Sequence, residues 1–168
     1  HFPGHGQTDT DSHKVLPVVR SPRETLVARD LYPFRQAIRA GIPALMTAHV
    51  LYPALDRDYP ATLSRKILTG LLRGRLGFRG AVFSDALEMK AISLHRGAGD
   101  AAVLAFRAGC DAMIVSRGEE EQAEAGEALA RWAGEEGRRK EAVNLSRRRM
   151  DRLRRALSRP ETRRASLR

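Results

Sequence analysis

The stretch 80-GAVFSDAL-87 carries the features that decide the fold of this 168-residue chain. Its short apolar run is typical of a β-strand buried on both faces, and the run ends in Ser84 and Asp85. Similar runs occur at 43-PALMTAHV-50 and 110-CDAMIVSR-117, and helical patterns separate them. This alternation predicts an α/β fold with parallel strands joined by right-handed crossovers.

The segments between these runs place apolar residues at the 3.6-residue spacing of amphipathic helices. Open doubly wound sheets and closed (β/α)₈ barrels both fit the resulting order, and in both folds functional side chains follow the carboxyl ends of strands. We predict helices over residues 21–41, over 65–76 with Ser64 as the cap, on both sides of a break near Gly97 and Gly99, and from Glu119 to about Ser158 with breaks at Gly134 and Gly137.

The net charge of +10 is concentrated at one end of the chain. Residues 138–168 hold 13 Lys or Arg and 3 acidic residues, whereas the rest of the chain holds 17 of each sign. Such a run is typical of a solvated helix and tail, and it contains no aromatic residue that could stack on a base. We therefore expect no nucleic-acid partner; the alternative, an RNA- or DNA-binding arm, predicts an affinity that falls steeply with salt.

Several other classes of protein are disfavoured by the sequence. No apolar run approaches the roughly 20 residues of a membrane span, so none is expected. We predict neither a metal centre nor a cofactor, because Pro3 and Gly4 disfavour a helical ligand pair at His1 and His5 and no phosphate-binding glycine loop is present. The single cysteine, Cys110, fits a buried packing role and a reducing compartment, so we expect a cytoplasmic protein.

Two short stretches carry residues suited to proton transfer and bond formation. In 11-DSH-13, Asp11 and His13 point the same way if the loop is extended, so the carboxylate can orient the imidazole for proton transfer. Asp85 follows a buried strand, and it can be a nucleophile, a metal ligand or a helix cap. His49 ends another strand, where it can line a pocket or be a satisfied structural histidine. The residues alone leave these alternatives open.

Five segments of the chain share a pattern with a known family: HFPGHGQTDTDSH (1–13), LYPFRQAI (31–38), LMTAHVLYPALD (45–56), PATLS (60–64) and GFRGAVFSDALEMKAI (77–92). Together they resemble glycoside hydrolase family 3, in particular its bacterial β-N-acetylglucosaminidases (β-hexosaminidases) of peptidoglycan recycling. The resemblance runs from His1 to about Arg155, and it implies a (β/α)₈ TIM barrel. Of that barrel this chain would hold the C-terminal half, about three to four βα units plus C-terminal helices, in residues 1–158, followed by a basic, disordered tail in 159–168.

The resemblance also implies an activity and roles for particular residues. The family's enzymes of this type are retaining exo-glycosidases that release terminal β-linked N-acetylglucosamine, here from muropeptides or related glycosides. Asp85 would be the nucleophile and His13 the acid/base, oriented by Asp11. His1 would hydrogen-bond sugar hydroxyls, and we count His49 as a second candidate for substrate contact.

The chain also departs from the family's pattern. The lysine that precedes the histidine at position 1 is absent, as is the upstream half of the barrel, and we interpret the chain as starting inside a longer product. An open half barrel exposes strand edges and its apolar interior, so we expect the chain alone to be inactive and to self-associate, to pair with the missing half, or to fold poorly. The alternatives are a β-glucosidase or a glycoside phosphorylase of the same family, since a neutral imidazole does not repel phosphate, and a non-catalytic fragment that self-associates.

Overall fold

The chain folds around a parallel β-sheet with the strand order β1-β2-β3. A computed structural model describes residues 1–5, 8, 11–134 and 137–158, so the predicted tail at 159–168 lies outside the described residues. The predicted strands and their parallel pairing are confirmed. Their bounds are Ala44–Met46 for β1, Ala81–Ala86 for β2 and Ala112–Ile114 for β3.

The first residues of the chain extend this sheet beyond β1. The N–H of Phe2 donates to the carbonyl of Met46 at 2.8 Å, and the N–H of Ala48 donates to the carbonyl of Phe2 at 2.9 Å, so the two segments run parallel. Phe2 is fully buried and contacts Phe34 edge to face at 5.1 Å between ring centroids. Neighbouring strands in space therefore follow the order of the chain, and the carboxyl ends of all of them meet at one edge.

Helical segments connect the strands where the spacing predicts them. Pro33 lies in the first turn of α2, where the missing N–H has no helical partner to lose. The helices and turns are α1 Arg23–Thr25, which continues as a π-helical segment Leu26–Asp30, α2 Tyr32–Arg39, a 3₁₀ turn Ala61–Leu63, a π-helical segment Lys66–Arg75, α3 Lys90–Ser93, α4 Ala98–Ala108, α5 Glu119–Gly134 and α6 Arg138–Leu157.

The predicted cap at Ser64 is present. Its hydroxyl oxygen accepts a hydrogen bond from the N–H of Ile67 at 3.1 Å, which satisfies one of the free donors of a helix start. The same hydroxyl donates to the Asp56 carboxylate at 2.6 Å, and Lys66 donates to the other oxygen of that carboxylate at 3.1 Å. These bonds hold the loop that follows β1 against the next helical segment.

The two faces of the sheet have different surroundings. Leu45, Val82 and Met113 pack into the hydrophobic core that the helices share with the sheet. On the opposite side, which we call the inner face, Met46, Phe83 and Ala112 pair in register; they are half-buried and lie outside that core. A parallel sheet is normally covered on both faces, so the inner face is apolar surface that this part of the chain leaves partly open.

Helix α6 is attached to the amino ends of the strands through Asp111. This buried carboxylate accepts from Arg73 at 2.7 Å, from Arg149 at 3.0 Å and from the N–H of Val82 at 2.9 Å. Ser146 also donates to the carbonyl of Asp111 at 3.1 Å. The edge opposite the strands' carboxyl ends is therefore closed by ion pairs.

Cys110 packs in the interior, as its apolar surroundings predict. It is 2% exposed, and burial raises the pKa of its thiol well above the usual range. Among the described helices, none combines the length and the apolar composition needed to cross a membrane.

Candidate active site

Asp85 lies at the carboxyl end of β2, on the inner face. One carboxylate oxygen accepts from the N–H of Ala86 at 2.8 Å, and the side chain is 19% exposed. The alternation of a strand explains this position, because buried Ser84 points to the core and the residues on either side of it, Phe83 and Asp85, point away. A charged oxygen thus reaches solvent at the edge where functional groups of such sheets collect.

His1 is brought to Asp85 by the pairing of Phe2 with the end of β1. The distance from His1 Nε2 to the second Asp85 oxygen is 3.2 Å. The ring of His5 lies edge-on to that of His1 at 6.3 Å between centroids, and its Nδ1 lies 2.9 Å from the Thr8 hydroxyl. Residues eighty-four positions apart in the chain therefore share one polar cluster, because the first residues of the chain and β2 lie on either side of β1.

The D-x-H pairing is present in the loop that follows. Asp11 Oδ1 accepts from His13 Nδ1 at 2.8 Å and from the His13 main-chain N–H at 2.9 Å, and both side chains are largely exposed. These hydrogen bonds hold the pKa of Asp11 below its usual range. With Nδ1 bonded to the carboxylate, proton transfer to a ligand would fall to Nε2.

This loop is attached to the same edge of the sheet as Asp85. The carbonyl of Ser12 accepts from the N–H of Ala91 at 3.2 Å, and Ala91 lies in α3, directly after the loop that follows Asp85. The intervening positions 6, 7, 9 and 10 lie outside the described residues. The Asp11–His13 loop is thus hydrogen-bonded to the helix that follows Asp85 in the chain. The roles assigned to these side chains stay predictions.

His49 lies beneath this edge and is completely buried. Its Nε2 is 2.9 Å from the carbonyl oxygen of Ala86, and its Nδ1 is 2.8 Å from the hydroxyl of Thr62. Burial lowers the pKa of the imidazole below its usual value. In this structure the chain itself occupies both ring nitrogens, and the predicted contact of His49 with substrate stays untested.

Sequence reasoning missed two residues at this edge. Glu88 accepts from the N–H of Ser116 at 3.1 Å and from its hydroxyl, which joins the ends of β2 and β3. Thr62 holds the inner nitrogen of His49. The available signals were weak, because Glu88 lies only three residues after Asp85 and Thr62 stands in a loop with no periodicity.

Metal ligation is the remaining chemistry that histidines and carboxylates could support here. Within the described ranges, no group of three or more His, Cys, Asp or Glu side chains is arranged to hold a metal ion. The geometry instead offers one strand-end carboxylate, a histidine beside it and a separate carboxylate–imidazole pair.

Comparison with known proteins places this arrangement in a family. The family described as "Glycosyl hydrolase family 3 N terminal domain" matches residues 1–153. The chain belongs to glycosyl hydrolase family 3. Among similar proteins, a β-hexosaminidase of Methylococcus capsulatus is 42% identical over 153 residues, which cover 90% of this chain and 46% of that protein.

Two further similar proteins show how far the likeness extends. Beta-hexosaminidase A of Pseudoalteromonas piscicida is 42% identical over 127 residues, covering 68% of this chain and 21% of that protein. A β-N-acetylglucosaminidase of Paenibacillus sp. superposes with a TM-score of 0.87 at 47% identity, covering 92% of this chain and 30% of that one. The chain therefore spans less than half the length of each of these relatives.

Proposed function

We propose that this chain supplies the catalytic edge of a retaining, exo-acting β-N-acetylglucosaminidase. Its substrates would be terminal β-linked N-acetylglucosamine residues of peptidoglycan-derived muropeptides or related glycosides. The observation that carries the proposal is the meeting of Asp85, His1 and the Asp11–His13 loop at one edge of the sheet. Relatives named β-hexosaminidase, which match most of this chain, support the substrate class.

In the first step, Asp85 forms the covalent bond to the sugar. Its carboxylate attacks the anomeric carbon, and the bond from that carbon to the leaving oxygen breaks while protonated His13 gives its proton to that oxygen. The N–H of Ala86 holds the other carboxylate oxygen at 2.8 Å, which orients the group for this attack. Asp11 orients the imidazole and stabilises its positive charge.

In the second step, water releases the sugar. Neutral His13 takes a proton from a water molecule, whose oxygen attacks the anomeric carbon as the bond to Asp85 breaks. Two inversions at one carbon give retention of configuration. His1 lies within reach of a sugar seated over Asp85 and would hydrogen-bond its hydroxyls.

The sheet supports a barrel rather than an open doubly wound fold. Doubly wound sheets carry helices on both faces and reverse their strand order, whereas this sheet follows chain order and its core lies on one face. The half-buried inner face would then line the interior of a (β/α)₈ barrel, of which residues 1–158 form the C-terminal part. Completion of that interior by the rest of a barrel is a condition for activity in this proposal.

The proposal is tested by turnover of a chromogenic N-acetyl-β-glucosaminide. The enzyme would be the polypeptide that contains this chain together with the remainder of the barrel, and the isolated chain is expected to be inactive. Asp85→Ala should abolish turnover, and His13→Ala should slow it by about 10²–10⁴-fold, the usual contribution of a general acid–base. His95→Ala serves as the control, since His95 is exposed and follows α3 in the chain. Full activity in the Asp85 variant would contradict the proposal.

The same assay separates hydrolysis from transfer to phosphate. A hydrolase releases free N-acetylglucosamine whether or not inorganic phosphate is added. Formation of a sugar 1-phosphate, in proportion to the phosphate supplied, would show instead that the His13 base serves a phosphorylase.

A further inference from the structure

Ala86, the residue after Asp85, makes one hydrogen bond through its main-chain N–H and another through its carbonyl oxygen. The N–H of Ala86 donates to Asp85 Oδ1 at 2.8 Å. The carbonyl oxygen of Ala86 lies 2.9 Å from Nε2 of His49, a residue 37 positions earlier in the chain. Ala86 therefore links a fully buried imidazole to the carboxylate at the strand end.

We propose that His49 is a positioning residue for Asp85, which acts by donating its Nε2–H to the Ala86 carbonyl rather than by touching the sugar. The expected effect on turnover rests on the proposed function, whereas the restraint on Asp85 does not. The hydrogen bond fixes Ala86, and Ala86 in turn fixes the carboxylate oxygen that its N–H holds. A nucleophile needs this restraint, because a displacement of about 1 Å at a reacting group can cost 10²-fold in rate.

The count of protons assigns the tautomer. A carbonyl oxygen only accepts, so Nε2 of His49 must carry the hydrogen of its bond to Ala86. Burial lowers the pKa of the imidazole, which favours the neutral ring with its single hydrogen on Nε2. The Thr62 hydroxyl lies 2.8 Å from Nδ1 and 3.0 Å from the Ala48 carbonyl oxygen, so its one hydrogen is shared between these two acceptors. Thr47 is then the donor to Thr62 Oγ1, at 2.8 Å.

Charged groups near His49 act on it in both directions. Asp85 and Glu88 favour the protonated imidazole, whereas His5 opposes it, and desolvation outweighs all three. The carbonyl of Ala86 also favours the charged form without reversing the result. The neutral form is thus the one that the surroundings as a whole select.

The far end of this chain of hydrogen bonds is anchored in the scaffold. Thr62 lies in the 3₁₀ turn Ala61–Leu63, and the N–H of Ala61 donates to the carbonyl of Val50 at 2.8 Å. The Thr62 side chain is fully buried. Because the turn is hydrogen-bonded to the segment that follows β1, Asp85 is anchored to a buried part of the fold instead of a surface loop.

The first test uses nuclear magnetic resonance on the full 168-residue chain. The amide proton of Ala86 should shift as Asp85 titrates, because it donates to that carboxylate. His49→Gln places an amide N–H near the former Nε2 and should retain the shift. His49→Asn carries the same amide on a shorter side chain that reaches only toward Thr62, and it should lose the shift. A shift retained in His49→Asn overturns the proposal.

A second pair of variants covers the case in which His49→Asn does not fold, which is recognised by the loss of a cooperative unfolding transition. Thr62→Val removes the hydroxyl that contacts His49 Nδ1, whereas Thr62→Ser keeps it. The Ala86 shift should weaken in the Val variant and persist in the Ser variant. Equal shifts in both variants overturn the claim that the orientation of the His49 ring positions Asp85.

Kinetics of the active polypeptide then separate positioning from substrate contact. His49→Asn should lower kcat by about 10–100-fold with little change in KM, and His49→Gln should recover most of kcat. A higher KM at unchanged kcat would show substrate contact and overturn the positioning role. If the unaltered enzyme shows no turnover, the proposed function fails by itself, and the Ala86 resonance still decides whether His49 positions Asp85.

Discussion

The buried carboxylate of Asp111 is paired with two arginines. Asp111 is 8% exposed and satisfies both Arg73 and Arg149, while burial lowers the pKa of the Arg73 guanidinium and Asp111 opposes that effect. Exposed pairs such as Arg154 with Asp151 lie in water and contribute little. An ion pair therefore affects stability far more at buried Asp111 than at exposed Asp151.

Asp111→Ala should lower the free energy of unfolding by about 3–5 kcal/mol, because it leaves Arg73 buried without a counter-charge. The matched control is Asp151→Ala, which breaks an exposed ion pair in α6 and should change stability by less than about 0.5 kcal/mol. Urea unfolding followed by circular dichroism measures both. Similar losses in the two variants would contradict the assignment of Asp111 as the charge that holds this edge.

His49 should make stability depend on pH in a defined window. Its pKa is lowered in the folded state from the ordinary 6.5, so the unfolded chain binds more protons between the two values. The free energy of unfolding should therefore fall as the pH drops below about 6.5. His49→Gln should flatten this slope, measured by urea unfolding between about pH 5 and 7.5. An unchanged slope would mean that another group is responsible.

The helical elements agree with the sequence pattern in position but not always in hydrogen bonding. Residues 65–76 carry the spacing of an α-helix, yet Lys66–Arg75 is π-helical, and Leu76 donates to Leu71 five residues back at 2.9 Å. The wider turn accompanies long-range contacts, since Thr69 donates to the carbonyl of Ala108 at 2.7 Å. Ile67 and Leu71, like Leu68 and Leu72, are four positions apart, and this spacing places them on one face of either helix type. Local sequence therefore does not distinguish the two.

Two glycines offer a matched pair at this scale. Gly109 ends α4 with φ of 130°, and a Cβ there would lie 3.2 Å from Thr69 Oγ1. Gly126 is exposed inside α5, and a Cβ there would meet nothing within 4 Å. We expect Gly109→Ala to destabilise the fold by more than about 1 kcal/mol and Gly126→Ala to stabilise it by up to about 1 kcal/mol. Thermal unfolding of both variants measures the difference, and shifts of the same sign would contradict the argument.

At the scale of the whole molecule, charge and apolar surface are unevenly distributed. The excess of positive charge belongs to residues 138–168, of which α6 is the described part. The inner face carries half-buried Met46 and Phe83 outside the core. Apolar surface of this kind favours contact with another protein surface, whether the rest of a barrel or a second copy of this chain.

We expect the isolated chain to self-associate through the inner face. Phe83→Glu places a charge in the middle of that face and should shift the sedimentation coefficient toward the monomer. Leu94→Glu is the control, because Leu94 is 61% exposed and directly follows α3 instead of lying in the sheet. A chain that sediments as a monomer at all concentrations, or that responds equally to both substitutions, would contradict this expectation.

The sequence by itself determined the order of strands and helices, the cap at Ser64 and the pairing of Asp11 with His13. Each of these depends on residues a few positions apart, and short-range sterics and hydrogen bonds suffice to produce them. The role of Asp85 as a nucleophile is implied by the family resemblance. Only the tertiary structure decided that His1 meets Asp85, that His49 reaches Ala86 and that Asp111 joins two arginines. These contacts join residues 37 to 84 positions apart, and they form because the tertiary fold brings distant segments together, which no local pattern encodes.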